Sequence, residues 1–84
     1  MITLYSKPNC PYCESAKTWL SDHSIPFTPV DVTADEAALA FVKDKGHKTV
    51  PQLYVGDTLV VAGGFTGLRE LGIDRLREVL AGIS

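Results

Sequence analysis

The chain has 84 residues, of which 45% are hydrophobic and 21% charged, a balance typical of one small globular domain spanning residues 1–84. The net charge is −2 and the eight basic residues are scattered, which argues against a nucleic-acid-binding surface. No apolar run approaches the ~20 residues that span a bilayer, and no signal peptide is visible, so we expect a cytoplasmic protein with no membrane partner. Two cysteines are too few for a disulfide scaffold.

The first part of the chain predicts a strand, a helix and a second strand. Residues 2–5 form a short apolar run typical of a strand. A helix is predicted from Pro11, which suits a first helical turn, to about His23. Its apolar positions follow helical spacing: Cys13, Ala16 and Leu20. The second strand is predicted over residues 27–32, and Pro29 within it removes a ladder donor, which favours the edge of the sheet.

The next segment carries the clearest helical signal in the chain. Thr33 followed by Glu36 is typical of a capping box, so Thr33 is predicted to cap this helix. One apolar stripe follows at helical spacing: Ala34, Ala37, Ala38, Phe41 and Val42. Lys43 and Lys45 suit the last turn, where positive charge is favoured, and Gly46 is typical of the residue that follows a helix.

The last part predicts a hairpin and two helices. Residues 52–55 and 58–62 are β-branched runs joined by Gly-Asp, which indicates a hairpin. Residues 66–71 predict a short helix that ends at Gly72, and Asp74 is predicted to cap a final amphipathic helix. With the short helix and the final helix counted as one interrupted segment, the order β-α-β-α-β-β-α indicates an α/β fold. Its mixed sheet has two parallel strands, an antiparallel hairpin and helices on both faces.

Cys10 and Cys13 form a C-x-x-C pair where the first strand meets the first helix. Free N–H groups and a partial positive charge at a helix N-terminus favour a thiolate over a thiol. Cys10 is therefore predicted to be the exposed nucleophile, and Lys7 upstream could add favourable charge. Cys13 lies one turn inside, where it is shielded but can close a disulfide with Cys10. The pattern predicts a dithiol–disulfide oxidoreductase.

Less reactive interpretations of the two cysteines remain open. With His23 and His47 they reach the four ligands of a zinc site, but the histidine spacing matches no common finger pattern, and we expect no metal. They could also be inert core cysteines, since free cysteine is often buried. A non-enzymatic interaction domain is a further alternative, and it would leave the dithiol without a purpose.

Three motifs resemble the glutaredoxin family. Cys10-Pro11-Tyr12-Cys13 is similar to the active-site tetrad of dithiol glutaredoxins. The residues at 49–51 resemble the family's Thr-Val-Pro turn, and those at 63–66 its Gly-Gly-aromatic-Thr segment. The motifs occur in the family's order, and the resemblance covers essentially the whole chain. It implies a thioredoxin-like fold with strand order 2-1-3-4 and a cis peptide bond between Val50 and Pro51.

The resemblance also implies that glutathione is the co-substrate and lies in a groove beside Cys10. The implied binding residues are Lys7, Tyr12, Thr49, Val50, Pro51, Thr66 and Gly67. Lys7 would meet the glycine carboxylate, and the backbone of Val50 would bind the cysteinyl part. Thr66 and the N–H of Gly67 would hold the γ-glutamyl end at the start of a helix, which is a natural anion site. Gln52 is a further candidate.

One departure from the family leaves the reductant open. Many glutaredoxins have Asp where this chain has Gly67, so a carboxylate that could bind the ammonium group of glutathione is absent. Residues 45–51 also resemble the small redoxins dedicated to ribonucleotide reductase, which draw electrons from thioredoxin reductase. A third alternative, an iron–sulfur carrier, is disfavoured by Pro11. We expect disulfide-containing partner proteins, among them ribonucleotide reductase, and a monomer, because no apolar stripe is left over.

Overall fold

The computed structural model describes residues 1–83. Its elements follow the chain in the order β1 Ile2–Ser6, α1 Pro11–Asp22, β2 Phe27–Asp31, α2 Glu36–Asp44, β3 Gln52–Val55, β4 Thr58–Leu59, α3 Gly64–Leu71 and α4 Ile73–Ile83. Within the described residues, no helix has both the length and the apolar character that crossing a membrane requires.

The four strands form one mixed sheet in the order β2-β1-β3-β4. β1 pairs with β2 in parallel, with Ile2 opposite Phe27. β3 is antiparallel to both β1 and β4. β2 lies at the edge, where the missing N–H of Pro29 breaks no ladder on its outer side. The strand order and the edge position of β2 confirm the predictions.

The sheet separates two apolar cores because side chains along a strand alternate between its faces. Ile2 and Leu4 of β1 lie in the larger core, under α1, α3 and α4. Tyr5 points to the other face and packs against the smaller core that α2 covers. Its ring stacks on Phe41 of α2, with the ring centroids 5.2 Å apart. Helices therefore cover both faces, as predicted.

The cap of α2 differs from the prediction. Thr33 is not the cap, because its N–H and hydroxyl both donate to the carboxylate of Asp31, at 2.8 and 2.6 Å. The cap is Asp35, whose Oδ1 accepts the N–H of Ala38 at 3.0 Å. The helix consequently begins at Glu36. The carboxylate of Asp31, at the end of β2, thus binds the threonine that the capping-box pattern predicted as the cap of the helix.

The later start of α2 shortens its apolar stripe. Ala34 precedes the helix and Ala37 is exposed, so neither belongs to the core as the spacing predicted. The buried residues of α2 are Ala38 and Val42, with Phe41 packed beside them.

The boundaries of β4 and α3 also shift. β4 covers two residues instead of the predicted 58–62. Val60 still donates its N–H to Leu53 at 2.9 Å, but the chain then turns away from the sheet. α3 begins at Gly64, two residues before the predicted start, and follows Gly63, whose φ of +88° is the left-handed conformation that glycine adopts readily.

The start of α4 is the last difference. The N–H of Leu76 donates to the carbonyl of Gly72 at 3.0 Å, so Gly72 occupies the cap position. Asp74 lies inside the first turn of α4, where its charge still favours the helix, and does not cap it as predicted.

Candidate active site

Cys10 caps the N-terminus of α1 with its own sulfur. Its backbone is extended, and Pro11 begins the helix. The N–H of Cys13 donates to Cys10 Sγ at 3.3 Å, and the N–H of Glu14 donates to the Cys10 carbonyl at 3.1 Å. One amide N–H therefore points at this sulfur, which lies at the positive end of the helix dipole of α1.

The two cysteines differ in exposure in the predicted order. Cys13 is 0% exposed, and Cys10 is 6% exposed. Cys10 is thus the more accessible sulfur, but it is nearly buried, not openly exposed as predicted. Its thiol faces the backbone carbonyl of Val50, with Sγ and oxygen 3.9 Å apart. Both cysteines are free thiols in this structure.

Cys13 is held as a neutral thiol. Burial raises its pKa from the ordinary 9.0 to about 11, and a hydrogen bond with the Cys10 side chain and the negative charge on Cys10 add to this rise. The backbone N–H of Lys7 and the charge of Lys17 act in the opposite direction. Two of the causes that raise this pKa therefore depend on the state of Cys10.

The peptide bond between Val50 and Pro51 is cis, as the resemblance implied. Pro51 is buried beneath the start of α3. A Cβ on Gly64 would lie 2.9 Å from the Pro51 carbonyl oxygen, and Gly64 has a φ of +59°. Only glycine combines this backbone conformation with so close an approach. The Gly-Gly pair therefore lets α3 sit directly on the proline turn.

Gln52 supports the same turn from inside the sheet. It is 6% exposed, and its Nε2 donates to the Thr49 carbonyl at 2.9 Å. This bond bridges the proline turn and fixes the backbone that precedes Val50. Gln52, the further candidate for a glutathione contact, thus stabilises the turn. It also lines the groove described next.

A groove of about 550 Å³ opens between this turn, the start of α1 and the start of α3. Five of the residues implied for glutathione line it: Tyr12, Thr49, Val50, Pro51 and Thr66. Tyr12 is 62% exposed at its rim. We call this the proline groove. The structure brings together most of the site that the motifs predicted.

The other two implied residues lie elsewhere. Lys7 lines a second groove, on the far side of Val50. Gly67 lines neither groove, and its N–H already donates to the carbonyl of Gly63 at 3.2 Å because α3 begins earlier than predicted. The amides of residues 64–66 are the ones that lack a partner within α3.

Sequence reasoning gave Lys17 no role near this site and considered His47 only in the zinc alternative. Lys17 follows Cys13 by one helical turn, a spacing that places the two on the same face and could have revealed it. His47 lines both grooves, and its Nε2 shares a hydrogen bond with the hydroxyl of Tyr54. No local signal indicates this bond, since it depends on how the turn lies over β3. The four residues of the zinc alternative do not assemble, since residues 1–83 contain no cluster of three or more metal-ligating side chains.

Comparison with known proteins identifies the group to which this site belongs. The glutaredoxin family model matches residues 2–60. The chain belongs to the glutaredoxin family. Its activity class is therefore thiol–disulfide oxidoreductase, and Cys10 and Cys13 lie in contact as a redox pair should. Glutaredoxin from Neisseria meningitidis serogroup A is 37% identical over 83 residues, covering 89% of this chain and 93% of that protein.

The chain is also similar to two proteins of other kinds. The glutaredoxin-like protein NrdH of Lactococcus lactis subsp. cremoris is 30% identical over 76 residues, covering 90% of this chain and 99% of that protein. The global transcriptional regulator Spx 1 of Oceanobacillus iheyensis is 39% identical over 44 residues, and the chain spans only 34% of its length.

Solved structures agree on the fold. The buckwheat glutaredoxin–glutathione complex superposes with a TM-score of 0.76 at 21% identity, covering 96% of this chain and 76% of that one. NrdH-redoxin from Escherichia coli gives 0.71 at 22% identity, covering 86% and 95%. The thioredoxin-like fold expected from the motifs is confirmed.

Proposed function

We propose that this glutaredoxin uses glutathione to reduce protein disulfides and glutathione mixed disulfides. The supporting observation is the proline groove, in which five residues of the implied glutathione site meet beside Val50. The carbonyl of Val50 contacts Cys10 Sγ. A thiol tripeptide in this groove would place its sulfur against the more accessible cysteine.

In the first step, the Cys10 thiolate attacks a sulfur of the substrate disulfide. A bond forms between Cys10 and that sulfur, and the other substrate sulfur leaves as a thiolate that takes a proton from solvent. Cys13 then attacks Cys10 Sγ, which forms the Cys10–Cys13 disulfide and releases the second substrate thiolate. Two electrons pass from the protein to the substrate.

The protonation of Cys13 keeps these steps in order. While Cys10 is a thiolate, burial together with the hydrogen bond and the negative charge of Cys10 holds the Cys13 pKa at about 11, so Cys13 stays a neutral thiol. A mixed disulfide at Cys10 removes that charge. The pKa of Cys13 then falls from about 11, although burial still raises it, so a larger fraction of Cys13 is the nucleophilic thiolate.

Glutathione would reverse the oxidation in two exchanges. One glutathione thiolate attacks Cys10 Sγ and releases Cys13, and a second attacks the resulting mixed disulfide to form glutathione disulfide. Thr66 and the free amides at the start of α3 would hold the γ-glutamyl carboxylate, since a helix N-terminus favours anions. The amide of Gly67 is already paired and takes no part.

A redoxin recharged by thioredoxin reductase is the second candidate. It is favoured by the similarity to the NrdH protein of Lactococcus, which extends over 99% of that protein. Glycine at position 67 also leaves no carboxylate for the ammonium group of glutathione.

Paired reductant assays separate the two candidates. We expect turnover of a protein disulfide with glutathione, glutathione reductase and NADPH. We also expect a raised KM for glutathione in Thr66→Val, which replaces the hydroxyl by a methyl group of similar size. Activity restricted to thioredoxin reductase with NADPH would refute the glutathione proposal and support the second candidate.

Cysteine variants test the roles of the two sulfurs. Cys10→Ser is expected to abolish all activity, because no other accessible thiol exists in the chain. Cys13→Ser is expected to retain reduction of a glutathione mixed disulfide, which needs only one cysteine. Normal turnover by Cys10→Ser would show that the nucleophile is assigned wrongly.

The wider setting follows from the same proposal. A dithiol of this kind works where thiols are kept reduced, so we place the protein in the cytoplasm. We propose that it acts as a monomer on disulfide-containing proteins, with ribonucleotide reductase as a candidate because of the likeness of residues 45–51. Sedimentation of the reduced protein tests the monomer.

A further inference from the structure

A second groove, of about 420 Å³, runs along α2 and meets the proline groove at Thr49 and Val50. We call it the α2 groove. Its basic rim consists of Lys7, Lys43 and Lys48. The proposed reaction with glutathione leaves Lys43, Lys48 and most of this groove without a role.

The rim is basic on a protein that is acidic overall. Three of the eight lysines and arginines line the α2 groove, whereas the chain as a whole has ten acidic residues and a net charge of −2. No acidic side chain lines it among residues 1–83. Asp31 lies near its edge and keeps its negative charge, because the two hydrogen bonds from Thr33 lower the pKa of that carboxyl, but the three lysines of the rim outnumber it. The charge of the groove therefore complements an anionic partner.

The floor of the α2 groove is apolar. Val32 and Val42 belong to the buried core beneath α2, and Leu39 packs against that core and also lines the groove. A simple anion would gain nothing from these side chains. A peptide with apolar residues among acidic ones fits both the floor and the rim.

The groove begins at the reacting sulfur. Val50 lines both grooves, and its carbonyl oxygen lies 3.9 Å from Cys10 Sγ. Because Val50 borders both the reacting sulfur and the α2 groove, this groove is within reach of the residues that flank a disulfide at Cys10. We propose that the α2 groove binds the protein segment next to the substrate disulfide and selects segments with acidic and apolar side chains.

This inference rests on the proposed function and specifies its protein substrate. A single exposed charge adds little to the free energy of binding. Several such charges together speed up association and make its rate depend on salt. Selection should therefore show in the second-order rate constant with the peptide, more strongly at low ionic strength.

The test uses single turnovers without glutathione or a reductase. The reduced protein is mixed with either of two peptides that share one internal disulfide and one apolar sequence, flanked by glutamates in one peptide and lysines in the other. Each event oxidises Cys10 and Cys13 to a disulfide and reduces the peptide disulfide to two thiols. We expect the glutamate peptide to react about tenfold faster at low salt. The difference should shrink at 0.5 M salt, where screening acts within ~3–8 Å.

Matched variants locate the effect. The double variant Lys43→Glu with Lys48→Glu is expected to lose the preference for the acidic peptide. The control, Arg75→Glu with Arg77→Glu, changes the net charge equally on α4, across the sheet from α2, and is expected to keep it. Should the first variant fail to fold, Lys43→Gln tests the same rim with a smaller change.

The outcomes separate this inference from the proposed function. Equal rates for the two peptides with the unmodified protein would overturn the inference, and so would a preference that survives the α2 variants or disappears in the α4 control. If neither peptide oxidises the reduced protein, the proposed thiol–disulfide exchange itself is wrong.

Discussion

Gly67 marks a backbone contact that no other residue could make. A Cβ at this position would overlap the carbonyl oxygen of Ala62 and lie 2.9 Å from its carbonyl carbon. Both atoms belong to the backbone, so no side-chain rotation relieves the overlap. The segment that leads into α3 would have to move until the atoms reach ordinary contact, at 3.4 Å or more.

We therefore expect Gly67→Ala to destabilise the protein. Overpacking of this kind costs about 3 kcal/mol at the upper end of its usual range. Replacing glycine by alanine inside a helix returns about 1 kcal/mol. The net loss is about 2 kcal/mol, which for a domain of this size lowers Tm by roughly 8–16 °C. Urea unfolding followed by circular dichroism measures the free energy directly.

Gly82 provides the matched control. It lies in α4, and a Cβ there would meet nothing within 4 Å. Gly82→Ala should therefore leave stability unchanged or raise it by up to about 1 kcal/mol. A Gly67→Ala protein as stable as the unmodified one would refute the close approach. The same contact explains why a family-type aspartate at 67 would not simply restore a glutathione contact, since its Cβ meets the same oxygen.

Three further outcomes follow from the site. Cys10→Ser should lower the pKa of Cys13 from about 11, because the negative charge of the Cys10 thiolate is lost. The pH dependence of alkylation measures this, and an unchanged titration would contradict it. The reduced protein should lose about 2 kcal/mol of stability from pH 9 to 11, since the unfolded thiol, with its ordinary pKa of 9.0, ionises before the folded one. Urea melts should show a smaller loss in Cys13→Ser, and equal losses would exclude Cys13 as the cause. Tyr54→Phe should cost about 1 kcal/mol by removing the bond to His47, and an unaltered melt would show that this bond adds nothing net.

Local features of the sequence determined much of this protein. The dithiol at the start of α1 could be predicted because C-x-x-C, a proline at the first helical position and helical spacing all lie within a few residues. Pro29 indicated an edge strand for the same reason, since a missing donor is a property of one residue. The three motifs that placed the chain in its family are also short and continuous.

The tertiary structure decided the features in which separate segments compete or meet. Thr33 matched a capping box, yet in the structure it donates hydrogen bonds to Asp31, and Asp35 is the cap of α2. The basic rim of the α2 groove joins Lys7 to lysines some forty residues away, which no window of sequence displays. The spacing of residues along the sequence determines which side chains share one face of a helix or strand. Which of them are already satisfied by a neighbour, and which remain free to bind, depends on contacts that exist only after the sheet has formed.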